Sequence, residues 1–226
     1  MADLIELYEK AQLLNLQNLA HGYIDLNRET VSNLDYLDYV LSAELELRGQ
    51  AAIKRNKNAS RLPDKPFDPE KLKPGIAWQV EQLETLSWID EEQNIVIIGK
   101  CDTGKTTLAA HIGQMALSKK ESVYYCNIEE FLRVVRNKDS SRKTEKIYKY
   151  LLNCSAIIID DVMYASITPE DLPVFYRAAS FLNETRSLII ITNRELSAWI
   201  SAAEDTHLMQ TLVDRITANS QIIRLT

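Results

Sequence analysis

The stretch Gly99-Lys100-Cys101-Asp102-Thr103-Gly104-Lys105-Thr106 constrains this chain more than any other. A glycine, four free positions and then Gly-Lys-Thr is the spacing of a phosphate-binding P-loop. Gly99 and Gly104 let the backbone turn tightly and approach phosphate oxygens with no Cβ in the way. Successive N–H groups then form an anion-binding nest, and the next helix adds its positive dipole end. Context supports the motif. Asn94-Ile95-Val96-Ile97-Ile98 before it reads as a buried parallel strand. In Thr107 to Leu117 after it, Leu108, Ile112 and Met115 are spaced for one helix face.

A second buried strand, Ser155-Ala156-Ile157-Ile158-Ile159-Asp160-Asp161, ends in paired carboxylates. Beside a P-loop, Asp160 can hold Mg²⁺ through water together with the Thr106 hydroxyl. Asp161 is placed to orient or deprotonate an attacking water. A cap or turn after a strand is the blander reading. Ser187-Leu188-Ile189-Ile190-Ile191-Thr192 is a further strand, and Asn193-Arg194 follows it. In a doubly wound sheet its end lies beside the carboxylate strand, so Asn193 can bond the attacking water or the γ-phosphate.

Around these elements the chain alternates strands and helices. Ala77 to Ile89 reads as one helix with Val80, Leu83 and Leu86 or Trp88 inward. Ser122 to Ile128 is a strand, and Glu129 to Asn137 and Thr144 to Leu152 are helices separated by a polar break. Pro169 to Asn183 reads as a helix with Pro169 in its first turn. A helix over His207 to Ile216 and a strand over Ser220 to Leu225 follow. The expectation is a three-layer α/β fold with a mainly parallel sheet at residues 76–226. Residues 2 to about 60 read as all helix, with Leu34, Leu37, Leu41 and Leu45 on a face expected to pack and Thr30 or Ser32 as N-cap. Pro63, Pro66 and Pro69 mark a linker at 63–75, which separates a small helical domain at 1–62.

Composition narrows the class. The 226 residues are 46% hydrophobic and 26% charged, and the net charge is −6. No apolar run is long enough for a membrane span, and Met1 to Glu6 does not resemble a signal peptide. Cys101, Cys126 and Cys154 form neither a disulfide framework nor a zinc spacing, so a reducing cytoplasm is expected. His21, His111 and His207 are scattered and read as structural or surface residues. The acidic balance argues against a nucleic-acid binder, but two basic islands argue for one. The first holds Arg48, Lys54, Arg55, Lys57, Arg61 and Lys65. The second holds Arg133, Arg136, Lys138, Arg142, Lys143, Lys146 and Lys149. Solvated helix faces are the alternative for either.

With P-loop, acidic strand end, Thr192-Asn193-Arg194 and a late Asp214-Arg215 in this order, the chain resembles the IstB/DnaC-like branch of the AAA+ ATPases, above all IstB-type transposition helpers. The resemblance covers nearly the whole chain. It implies an AAA+ P-loop NTPase core, and ATP and Mg²⁺ as cofactors. The expected core has no helical lid after Arg215, a departure from the wider pattern in which related helper proteins are similar. Gly99, Lys100, Cys101, Asp102, Thr103, Gly104, Lys105, Thr106 and Thr107 become the Walker A loop. Asp160 and Asp161 become Walker B, with Thr106 and Asp160 on the metal. Lys105, Asp161 and Asn193 carry catalysis. Arg215 becomes an arginine finger on ATP held by a neighbouring copy, in place of the blander ion pair with Asp214. The implied activity is ATP-driven assembly of a homo-oligomer on duplex DNA that assists a transposase of the same mobile element. The DNA path would be lined by Lys54, Arg55, Lys57, Arg61, Arg136, Lys138, Arg142 and Lys143.

Three other readings stay open on residues alone. A DnaC-like helicase loader shares every ATP-site residue and differs in its partner, a replicative helicase. A P-loop kinase fits less well, since paired carboxylates, Asn193 and Arg215 suit water as the nucleophile. An ATP-binding scaffold without turnover is raised by Asp102 beside the phosphates and by Asp161, where glutamate is frequent.

Overall fold

The computed structural model describes residues 4–30, 32–163 and 167–225. Residues 2, 3 and 31 of the helical expectation lie outside them. The chain forms two compact units, Met1–Arg55 and Asn56–Thr226.

The first unit is helical, with α1 (Leu4–Leu13), α2 (Gln17–Ala20) and most of α3 (Asn33–Ser60). Ser32 starts α3: its Oγ accepts the Asp35 N–H at 3.2 Å and donates to the Asp35 carboxylate at 2.7 Å. The α3 periodicity identifies the helix but not its covered face. Leu34, Leu37, Leu41 and Leu45 are 76%, 56%, 49% and 65% exposed. The adjacent stripe with Val40 and Glu44 is buried instead. Short α2 bonds to it. The Glu44 carboxylate accepts the Leu19 N–H at 2.9 Å, and Asn18 Nδ2 donates to the Ala43 carbonyl at 2.8 Å. One oxygen of the buried Glu44 carboxylate satisfies an orphan donor in the first turn of α2, while its Oε2 has no hydrogen-bond partner among the described residues.

The second unit is built on β1 (Asn94–Gly99), β2 (Val123–Asn127), β3 (Ala156–Val162), β4 (Ser187–Thr192) and β5 (Ser220–Leu225). They form one parallel sheet in the order β2-β3-β4-β1-β5. Helices on both faces bury it, which explains the continuous Ile/Val runs. On one face lie α4 (Pro74–Leu83), α5 (Ser87–Asp90) and α6 (Lys105–Ser118), around Leu83, Trp88, Ile97, Leu108 and Ile112. On the other lie α7 (Ile128–Arg136), α8 (Arg142–Asn153), α9 (Leu172–Leu182), α10 (Leu196–Ala202) and α11 (Thr206–Thr217), around Phe131, Ile159, Phe175, Trp199 and Leu212. Among the described residues no helix is long and apolar enough to cross a membrane.

Two helix expectations are corrected. Ala77 to Ile89 is not one helix. Leu86 takes a left-handed conformation (φ 63°) between α4 and α5. That break lets Leu86 and Trp88 both enter the core, with Trp88 Nε1 donating to the Leu83 carbonyl at 3.2 Å. Pro169 does not open α9. Residues 168–171 form a turn, with Thr168 Oγ1 bonded to Asp171, and Pro173 occupies the first helical turn. The proline-rich stretch lies across α6: Phe67 stacks on His111 with centroids 3.9 Å apart and rings at 14°.

Candidate functional site

The loop between β1 and α6 has the shape its glycines predict. A Cβ at Gly99 would sit 2.6 Å from the Leu225 carbonyl oxygen and 2.7 Å from Thr103 Oγ1, so no side chain fits. Gly104 holds φ +87° and caps α6 with no side-chain hydrogen bond. The first N–H groups of α6 therefore lack a side-chain cap, which is what an anion site requires. Asp102 also takes a left-handed φ of 62°. The Lys100 carbonyl organises the loop, accepting Thr103 Oγ1 at 2.9 Å and Lys105 Nζ at 2.7 Å.

The Asp160 carboxylate, 4% exposed, meets the start of α6. Its Oδ2 accepts from Thr106 Oγ1 at 2.8 Å and from the Tyr125 hydroxyl at 2.7 Å. Its Oδ1 accepts the Asp161 N–H at 2.7 Å. Here β3 carries a bulge: Ile159 pairs with Ile190, but Val162 pairs with Thr192, so Asp160 and Asp161 share the space opposite Ile191. Asp161 adopts φ 57° and its side chain is exposed. Partial burial and the neighbouring Asp160 push its carboxyl above the usual value, while Lys105 pulls it down. Lys105 and Asp161 thus feel one another across the site.

Asn193 follows β4, beside the end of β3 as expected. Its Oδ1 is buried and has no hydrogen-bond partner among the described residues. An orphaned buried acceptor costs roughly 1–3 kcal/mol, and a bound donor at the site would recover that. Thr192 Oγ1 accepts Trp199 Nε1 at 3.2 Å and the Arg194 N–H at 3.2 Å, which fixes the strand exit.

Arg215 is not brought to this cluster. It lies in the last turn of α11, ahead of β5, whose Ser220 pairs with Asn94 and whose Leu225 pairs with Gly99. Its carbonyl accepts from Asn183 Nδ2 at 3.3 Å, beyond the β4 end remote from Asn193. The length of β1 puts roughly 17 Å between the two ends of the sheet. Its guanidinium is 3.9 Å from Glu184 rather than paired with Asp214.

The basic residues differ in how free they are. Lys54, Arg55, Lys57, Arg142 and Lys143 are exposed. Arg61 is tied to the Glu130 carboxylate and donates to the Tyr124 hydroxyl at 2.9 Å. Arg136 pairs with Asp171 at 2.6 Å, and Lys138 lies 5.5 Å from the Tyr148 ring centroid.

The donor set fits ATP with Mg²⁺. A hydroxyl and a carboxylate are hard oxygen donors, and Mg²⁺ is usually held by one or two such groups plus phosphate oxygens. Among the described residues no three His, Cys, Asp or Glu side chains cluster as a metal cage, so no all-protein site competes. Sequence reading missed Tyr125 and the Lys100 carbonyl. The parallel register that brings Tyr125 to Asp160 is a pairing between strands, with no local signature.

Residues 9–226 match the family model of the IstB-like ATP binding protein. The chain belongs to that family. A relative from Bacteroides fragilis, named as an ATP-binding protein of an IS21-like insertion sequence, is 28% identical over 97% of this chain and 87% of its own length. One from Bacillus thuringiensis subsp. berliner, named for insertion sequence IS232, is 25% identical over 97% and 91%. Among solved structures, the DnaC helicase loader aligns with TM-score 0.58 at 19% identity, over 76% of this chain and 99% of that one. AMPPCP-bound DnaA from Aquifex aeolicus aligns with TM-score 0.56 at 17% identity, over 74% and 51%. At these identities the two structures bear on fold alone, and that fold is the AAA+ P-loop NTPase.

Proposed function

We propose that this IstB-like chain hydrolyses ATP as a head-to-tail homo-oligomer on duplex DNA and assists the transposase of its own mobile element. The observation that carries the reading is the separation of its parts. Lys105, Thr106, Asp160, Asp161 and Asn193 gather at one end of the sheet, and Arg215 stands at the other. A guanidinium that far from its own site does not serve its own nucleotide, which supports a role on the nucleotide of a neighbour.

In this reading the α6 N-terminus and the Gly99–Thr107 loop bind the phosphates, and Lys105 leaves the Lys100 carbonyl to reach the β- and γ-phosphates. Thr106 and Asp160 would hold Mg²⁺. The bound ion would neutralise charge on the phosphates. Asp161 takes a proton from the attacking water, and the unpaired Asn193 Oδ1 accepts its second hydrogen bond. Arg215 of the next copy stabilises the charge that develops on transfer. Turnover is thereby tied to assembly.

The mobile-element part rests on the names of the insertion-sequence relatives. The helical N-terminal domain would choose the DNA or protein partner. Lys54, Arg55, Lys57, Arg142 and Lys143 are exposed cations open to phosphates, whereas Arg61 and Arg136 already hold carboxylates. A cytoplasmic setting agrees with free Cys101, Cys126 and Cys154.

The test is ATP turnover without DNA, with duplex and with single strands at equal phosphate concentration. Stimulation mainly by duplex supports the transposition helper. Stimulation mainly by single strands points to a helicase loader, a reading that shares every residue of the site. ATP binding without turnover under any condition leaves a nucleotide-binding scaffold.

A further inference from the structure

Asp160 is fully engaged on the side that faces the P-loop. Its Oδ2 accepts Thr106 Oγ1 at 2.8 Å and the Tyr125 hydroxyl at 2.7 Å. A carboxylate oxygen offers two lone-pair directions, so both on this oxygen are used. The Oδ1 atom faces the Asp161 N–H instead.

Tyr125 reaches Asp160 through the register of the sheet. It pairs with Ile158, so Asp160 is its diagonal neighbour on β3. Diagonal neighbours share a face, and a long aromatic side chain spans the gap. Tyr124 points to the opposite face, into the other core. The Tyr125 hydroxyl is the donor in this contact, because an ionised carboxylate oxygen can only accept.

The two hydroxyls are not equivalent towards a metal. Thr106 can offer an oxygen lone pair to Mg²⁺ while its hydroxyl still donates to Asp160. The Tyr125 proton occupies the lone pair that a metal-bound water needs. We propose that the Tyr125 hydroxyl is an internal substitute for that water: it positions Asp160 before the metal arrives and must yield Oδ2 for Mg²⁺ to be held. Tyr125 is then a positioning residue that weakens Mg²⁺ binding and sets the Mg²⁺ concentration at which the site fills. The inference rests on the reading of Thr106 and Asp160 as the metal residues. A bond present only in the metal-free state lowers metal affinity by its own net strength, roughly tenfold or more for a hydrogen bond to a charged group.

Tyr125→Phe keeps the ring and removes only the hydroxyl. ATP affinity of the full chain is measured by calorimetry, in chelator and across a Mg²⁺ titration. The expected result is unchanged affinity in chelator and half-saturation at roughly tenfold lower Mg²⁺. A packing defect would weaken binding in both conditions. An unchanged or raised Mg²⁺ requirement overturns the inference alone. A wild-type protein that binds ATP without regard to Mg²⁺ overturns the metal-site reading, and this inference with it. A second measurement needs no variant fold: 3-fluorotyrosine is placed at position 125, and its fluorine resonance is followed by NMR. It should move when Mg²⁺ is added to ATP-bound protein, and a resonance that stays in place rejects the displacement.

Discussion

Lys105 and Arg215 stand at opposite ends of one parallel sheet. Lys105 Nζ rests on the Lys100 carbonyl at the Gly99 end, and Arg215 lies ahead of Ser220, which pairs with Asn94. Lys105→Ala should abolish ATP binding, and Arg215→Ala should keep it while lowering turnover by about 10³-fold. Mixed together, the two variants should show turnover that neither has alone, because an intact site then meets an intact finger. Normal hydrolysis by Arg215→Ala rules out the finger, and a silent mixture rules out its action between copies.

Asp161 carries a cost in the folded chain. Its carboxyl is raised by partial burial and by Asp160, so the folded state favours the neutral acid. The sign follows: the penalty is in force above the folded value and fades as pH falls towards the ordinary 3.8. Asn tolerates a left-handed φ, so Asp161→Asn should preserve the bulge. It should lose turnover yet raise the thermal midpoint at pH 8, with the gain shrinking on acidification. A midpoint gain that is equal at pH 8 and pH 4 contradicts this account.

His111 is partly buried and stacked on Phe67. Burial holds its imidazole below the ordinary 6.5, so the folded chain prefers the neutral ring. Stability from this residue is complete above 6.5 and is lost as pH falls through the lower folded value. Phe67→Ala removes the stacked ring and should return the His111 titration towards 6.5, read from its imidazole proton shifts. No movement would mean that Phe67 is not what keeps water away.

Asn94 is fully buried and fully satisfied. Its Nδ2 donates to Asn183 Oδ1 at 2.5 Å and to the Ile216 carbonyl at 2.8 Å, and its Oδ1 accepts the Leu188 N–H at 2.9 Å. One amide thus joins β1, β4 and the end of α11. Asn94→Ala leaves buried backbone groups unpaired and should cost about 3 kcal/mol, or roughly 6–12 °C in thermal midpoint. Calorimetry checks it, and a loss under about 1 kcal/mol would show that water replaces the amide.

The ATP-site half of the molecule was legible because its signals are local. A β-branched run, a glycine loop and a helical period follow one another in sequence, and β4 and β5 run over the residues expected. Non-local choices were not legible. The Leu34-Leu37-Leu41-Leu45 stripe and the Val40-Glu44 stripe both have helical spacing, and only the partner helix decides which is covered. The kink at Leu86 places a non-glycine residue at positive φ, which core burial stabilises and propensity disfavours. Helix α10 is not among the expected elements, and Pro169 suits a first turn as well as Pro173, which holds it, so proline alone does not locate the start of α9.

The β3 bulge changes which residues the core controls. Ile157, Ile159 and Val162 all face the same cluster, although a regular strand would turn Val162 to the other side. The residue that absorbs the extra step is Asp161, whose side chain belongs to neither layer. Its size is therefore decoupled from packing. A longer carboxylate there would change the reach of the site without entering the hydrophobic interior, whereas Asp160 is enclosed by Thr106 and Tyr125.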